Sequence, residues 1–176
     1  ELIISPSQAG QIMAVNDFNS FNDRLNVAAD GRVAVTFTQA PDTASVAFAD
    51  TNTAVLEISN TGTIASRANL NFSTTTSTYE QMMGVDMGRA GQIYVLRIDN
   101  KIQKVSNGVV DTAFGSSGVL DPGSSYFNHT TIKADDNGKL YVLTINGTQT
   151  ITLRRYNENG TVDTAFGSSG SLTITA

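Results

Sequence analysis

The chain has 176 residues, a net charge of −5, 40% hydrophobic and 15% charged residues, and no cysteine. Its acidic balance argues against a nucleic-acid surface, which needs a basic footprint, and the missing thiols exclude disulfides and thiolate metal sites. The charged share is below the usual ~25%, and Thr, Ser, Asn and Gly fill the gap, as suits short strands joined by tight turns. No apolar run is long enough to span a bilayer, so membrane insertion is not expected. Glu1 to Val15 lack the basic and apolar regions of a signal peptide. The chain reads as a single domain, 1–176, excised or processed from something longer.

Taken in order, Leu2-Ile3-Ile4 and Gln11 to Val15 are short apolar runs around a turn at Pro6 to Gly10. Leu25 to Ala28 and Arg32 to Thr38 flank Asp30-Gly31, a hairpin signal. Gln39 to Thr53 interrupts the pattern, with Ser45 to Phe48 as a strand candidate. Ala54 to Ser59 is a strand, Asn60 to Thr63 a turn, and Arg67 to Glu80 a Thr-rich polar loop with Phe72 and Tyr79 as apolar anchors. Met83 to Met87, Gln92 to Ile98 and Lys101 to Val105 are strands separated by turns at Gly88 to Gly91 and Asp99-Asn100. Asp121 to Thr130 is a loop. Ile132 to Ala134, Lys139 to Ile145 and Thr150 to Tyr156 are strands, and Ser171 to Thr175 ends the chain as another. No segment carries a sustained 3.6-residue period.

Val110-Asp111-Thr112-Ala113-Phe114-Gly115-Ser116-Ser117-Gly118 recurs letter for letter as Val162 to Gly170. Anchoring on the turn glycines extends the match: Gly31, Gly91 and Gly138 align, as do Gly62, Gly108 and Gly160. Each unit reads strand, Gly turn, strand, hairpin, strand, Asx-Gly turn, strand. The units run roughly 21–66, 79–118 and 127–172, with a partial N-terminal one at 2–15. Four short antiparallel strands at this period predict an all-β, β-propeller-like arrangement. Asp111 and Asp163 are expected to accept backbone N–H bonds of the following turn. Phe114 and Phe166 are expected to wedge between adjacent blades, and Gly-Ser-Ser-Gly to carry the chain across to the next blade. Three units and a part fall short of a ring, for which about four blades are needed. The terminal strands closing it together, a larger array, or a homo-oligomer covering the open sheet edges would each complete it.

Arg155-Tyr156-Asn157-Glu158-Asn159-Gly160-Thr161-Val162-Asp163-Thr164-Ala165-Phe166-Gly167 resembles the delta-60 repeat, a propeller-like repeat of bacterial surface and secreted proteins. The middle unit fits from Gly108 to Gly118 but has Lys104-Val105 in place of Arg-Tyr. The first keeps Gly62 and the flanking strands alone, with Ala65-Ser66-Arg67 replacing the Asp-Thr-small run. The resemblance implies a fold and an extracellular or cell-surface bacterial setting, not a reaction.

The chemistry-bearing residues are sparse. His129 is the single histidine and has no nucleophile or acid motif beside it. No nucleotide loop, nucleophile elbow or zinc pattern occurs. Asp135-Asp136-Asn137-Gly138 reads as a turn, because Lys133 occupies the place of the first acid of a calcium loop. No catalytic residue, metal or cofactor is therefore expected. Tyr126, Phe127, Asn128 and His129 share a loop that interrupts the repeat, and Phe72 and Tyr79 occupy the corresponding loop one unit earlier. Loops on a rigid scaffold are where binding residues gather. These six are the candidate ligand-binding set for a cell-surface glycan or a protein partner, against the alternative that the aromatics turn inward as core anchors. The reading is a non-catalytic binding or adhesion module. A carbohydrate-active propeller enzyme and a structural spacer or fibre domain are the alternatives.

Overall fold

The computed structural model describes residues 24–39, 52–70, 82–97, 99–123, 129–145 and 150–175. Among them it is all-β, with thirteen strands in three antiparallel sheets. No helix occurs among the described residues, and so none long and apolar enough to cross a membrane.

The first sheet is a meander of β1 (Arg24–Val27), β2 (Val33–Gln39), β3 (Asn52–Ile58) and β4 (Ile64–Leu70). The second holds β5 (Met82–Met87), β6 (Gln92–Arg97) and β7 (Ile102–Ser106), with two short strands, β8 (Val109–Val110) and β9 (Val119–Leu120), both paired to β7. The third is β10 (His129–Ala134), β11 (Leu140–Ile145), β12 (Thr150–Tyr156) and β13 (Ser171–Thr175). The first strands of the three sheets are neighbours: β5 packs against β1 on one side and β10 on the other.

The second sheet is packed on both faces. Ile93 and Val95 of β6 join Ala34, Val55, Ala68 and Leu70 of the first sheet. Tyr94 and Leu96, pointing the other way, join Leu140 and Val142 of the third. This two-sided burial explains the unbroken apolar run Ile93 to Leu96. In β11 alternate residues Leu140 and Val142 are buried while Tyr141 and Leu143 are half-buried.

Polar groups tie the layers as well. Between the first and second sheets, Arg32 and Glu57 form a buried ion pair at 3.0 Å. Arg32 also donates to Gly88 O, and Glu57 accepts from Gly91 N. Removing one partner of such a pair costs about 3–5 kcal/mol, because a buried charge is left uncompensated.

Three local expectations are corrected. Arg67 to Leu70 belong to β4 rather than to a loop, because Ala68 and Leu70 alternate into the core. His129 and Thr130 open β10 rather than closing a loop. Gly-Ser-Ser-Gly does not cross between sheets. Ser116 and Val119 exchange backbone hydrogen bonds at 2.8 and 3.1 Å, and Ser168 and Ser171 do the same. With Ser117 at φ 52° and Gly118 at φ 86°, this is a two-residue hairpin of the primed type. It sends Val119 and Leu120 back to β7, so the fourth strand of the second unit is split around the motif.

Candidate functional site

The repeated motif builds its turn as the sequence suggests. Asp111 Oδ1 accepts from Ala113 N at 3.1 Å, and Asp163 Oδ1 from Ala165 N at 3.2 Å. Phe114 is fully buried between the second and third sheets, edge-on to Tyr94 with centroids 5.7 Å apart. Behind Asp111 lies Lys104, whose Nζ is 3.2 Å from Asp111 Oδ2 and 5.9 Å from the Tyr94 ring centroid. The lysine is almost wholly buried, and this is tolerated because Glu158 O and Oε1 also face it, at 3.3 and 3.5 Å. Glu158 further accepts from Arg89 and Gln92 of the second sheet.

An open groove of 410 Å³ lies at this seam. The second sheet contributes Lys104, Asp111 and Ala113, and the turn after β12 contributes Asn157, Glu158, Asn159 and Thr161. The frame is fixed by hydrogen bonds. Gly115 N donates to Asn159 O at 2.9 Å, Asn159 Oδ1 accepts from Thr161 N and Oγ1, and Asn157 Oδ1 accepts from Lys139 Nζ. Burial pushes the Asp111 carboxyl up, but Lys104, Ala113 N and Ser106 together outweigh it and hold it below the usual carboxylate range. It therefore stays a hydrogen-bond acceptor at neutral pH. The groove presents carboxylate, amide and hydroxyl edges, a set suited to hydroxyl-rich or peptide ligands.

No protein-family model matches the chain, and no curated protein matches it either. The site is therefore read from its own geometry.

Of the six residues singled out in the sequence, Phe72, Tyr79, Tyr126, Phe127 and Asn128 lie outside the described residues. His129 is exposed at the start of β10, opposite Ile145. The registers β10–β11 and β11–β12 put His129 at one end of the third sheet and the Asn157–Gly160 turn at the other. The groove and His129 are thus at different ends of the third sheet. The groove escaped sequence reasoning because its lining comes from two separate repeats, each of which reads as turn chemistry. The missed signal was Glu158, a charged residue inside a turn otherwise made of Asn and Gly.

Asp135 works as a turn residue. Its Oδ1 accepts from Asn137 N and Lys139 N, both at 2.9 Å. Among the described residues, no group of three or more His, Cys, Asp or Glu side chains is arranged to hold a metal ion.

Proposed function

We propose that this chain is a non-catalytic binding module of a bacterial surface or secreted protein. Its three sheets are arranged as in a propeller, and a cell-surface glycan is its ligand class. One observation carries the reading: the rigid polar groove between the second and third sheets, lined by Asp111, Asn157, Glu158, Asn159 and Thr161. The adjacency of β1, β5 and β10, the first strand of each sheet, supports the propeller arrangement. The state of the groove carboxylates supports binding over catalysis. Against the pull of burial, Lys104, Ala113 N and Ser106 hold the Asp111 carboxyl below the usual range, so it is a poor proton donor at neutral pH, and Glu158 is taken up by contacts with Arg89, Gln92 and Lys104. Resemblance to the delta-60 repeat supports the surface setting.

The test is a glycan-array screen followed by calorimetric titration of the hit. Asn159→Ala and Thr161→Val are expected to weaken binding about tenfold or more, the loss of one or two directed hydrogen bonds. His129→Ala, at the opposite end of the third sheet, is expected to leave affinity unchanged. Silence on the array, or loss with His129→Ala alone, would overturn the groove reading.

A further inference from the structure

The same packing surface occurs twice in the molecule, once covered and once open. On the third sheet, Leu140 and Val142 point to the second sheet. The register therefore sets Tyr141 and Leu143 on the far face, beside Leu153 of β12 and Leu172 and Ile174 of β13. No far-face residue of the sheet's four strands is buried, and Leu172 and Ile174 are 49% and 52% exposed. The far face of the first sheet differs, because Ala54 and Leu56 on it are already buried within the chain.

The open face matches, position for position, the face of the second sheet that holds the third. Tyr141 stands at the register position of Tyr94, Leu143 at that of Leu96, Leu153 at that of Ile102 and Leu172 at that of Leu120. Phe166 stands for Phe114, edge-on to Tyr141 at 6.0 Å as Phe114 is to Tyr94 at 5.7 Å. Arg155 takes the place of Lys104: Lys104 pairs with Asp111 at 3.2 Å, and Arg155 with Asp163 at 2.8 Å. The apolar members of the second-sheet set are all buried, and none of their counterparts is.

What covers the second sheet shows what the third sheet lacks. Gly115 N donates at 2.9 Å to Asn159 O, in the Asx-Gly turn of the following unit. The counterpart Gly167 is exposed, and its N–H has no backbone acceptor among the described residues. Glu158 of that same turn faces Lys104 at 3.5 Å. Arg155 is the cation that an acid in the same place would meet. A repeat that ends an array in water carries a polar outer face. This one presents Tyr, Leu and Ile, the surface of an inner repeat.

We infer that the far face of the third sheet is the seat of a further four-stranded unit of the same repeat, joined in series after β13 and packed as the third sheet packs on the second. Two apolar residues of its second strand fill the places of Leu140 and Val142, against Tyr141 and Leu143. A backbone carbonyl of its Asx-Gly turn accepts from Gly167 N. An acid of that turn meets Arg155, so the charges across the joint are complementary. The unit buries the apolar side chains that the open face leaves in water. None of this rests on the glycan reading of the groove.

Thermal melts test this on the full chain and on a version carrying a second copy of residues 121–176 after Ala176. In the full chain, Phe166→Ala is expected to lower the melting temperature much less than Phe114→Ala. In the extended version its shift is expected to grow about twofold or more and to approach that of Phe114→Ala, because the ring is now enclosed. Leu172→Glu at the resident position blocks the seat. That side chain is about half exposed, so the variant keeps its fold, checked by circular dichroism. It is expected to return the Phe166→Ala shift to its small value, and Ile174→Glu repeats the test if Leu172→Glu melts early. A Phe166→Ala shift that the added copy leaves unchanged, or that survives both glutamate variants, overturns the proposal. Sedimentation velocity of the unextended chain covers the other occupant. Monomer is expected up to about 100 μM. A dimer that Leu172→Glu dissolves would give the face to a second copy and overturn the proposal as well.

Discussion

Val110–Gly118 and Val162–Gly170 are the same nine residues in two surroundings. Locally they are superposable. Phe114 N and Phe166 N donate to the preceding Asp carbonyl at 3.1 and 3.0 Å, and each copy closes with a Ser-Ser-Gly hairpin. Energetically they are not alike. Phe114 is fully buried with Leu140 and Tyr156, whereas Phe166 is half-buried beside Tyr141 and Arg155. The first copy is covered by the Asn157–Gly160 turn of the following unit. Identical sequence therefore sets the turn, and the next unit in line sets what the turn contributes to stability.

The sharpest test of that contrast is to truncate both rings. Phe114→Ala is expected to cost about 3–5 kcal/mol, a full core cavity. Phe166→Ala is expected to cost about 1 kcal/mol, since half its surface burial is already missing. Urea unfolding measures both. Equal losses would show that the second copy is packed as tightly as the first and would erase the distinction.

The turn glycines give the next contrast. Gly160 and Gly62 have nearly the same backbone, φ 82° and 81°. Alanine at either pays about 1 kcal/mol of strain for the left-handed conformation. At Gly160 the new methyl also meets Gly115 N at 2.8 Å and the Phe114 ring at 3.2 Å, whereas at Gly62 it meets open space. Gly160→Ala is expected to cost about 2–4 kcal/mol in total and Gly62→Ala about 1 kcal/mol. Thermal melts of the two variants compare them directly. A Gly160→Ala protein as stable as Gly62→Ala would mean that the seam between the second and third sheets yields freely.

Much of this was legible before any coordinates. Asp30-Gly31 and Asp135 to Gly138 marked their hairpins, and the run Ile93 to Leu96 marked a strand. Those signals are strong because only a few residues tolerate the required backbone. Arg67 to Leu70 was hidden because two small or apolar side chains alternate among Arg and Asn and resemble a loop. The hairpin at Ser116 to Val119 was hidden for a related reason: Ser117 takes positive φ, and serine does not advertise it. The groove was the least legible part. Asp111 reads as a turn residue in its own repeat, and Asn157 to Asn159 read as another turn. Only the packing of one repeat on the next makes them face one space.

The smallest expected effect compares Tyr94 with its counterpart Tyr141. Tyr141 is half-buried and its hydroxyl donates to Asp135 Oδ2 at 3.4 Å. The Tyr94 hydroxyl is buried and has no hydrogen-bond partner. Burial pushes its pKa from 10.0 to about 12, with Arg89 pulling weakly the other way. The folded protein thus keeps this phenol protonated where the unfolded chain would release the proton. Its contribution to stability is complete below pH 10 and is lost as the pH climbs towards about 12. Tyr94→Phe removes that titration together with an unsatisfied donor. At neutral pH it is expected to leave stability unchanged or raise it by up to about 1 kcal/mol. Above pH 10 it is expected to melt later than wild type, by a margin that widens with pH. Melting temperatures of the two proteins across the alkaline range decide the matter. Parallel declines would mean that Tyr94 has reached a hydrogen-bond acceptor or water, and that the seam beneath the groove is less dry than its packing implies.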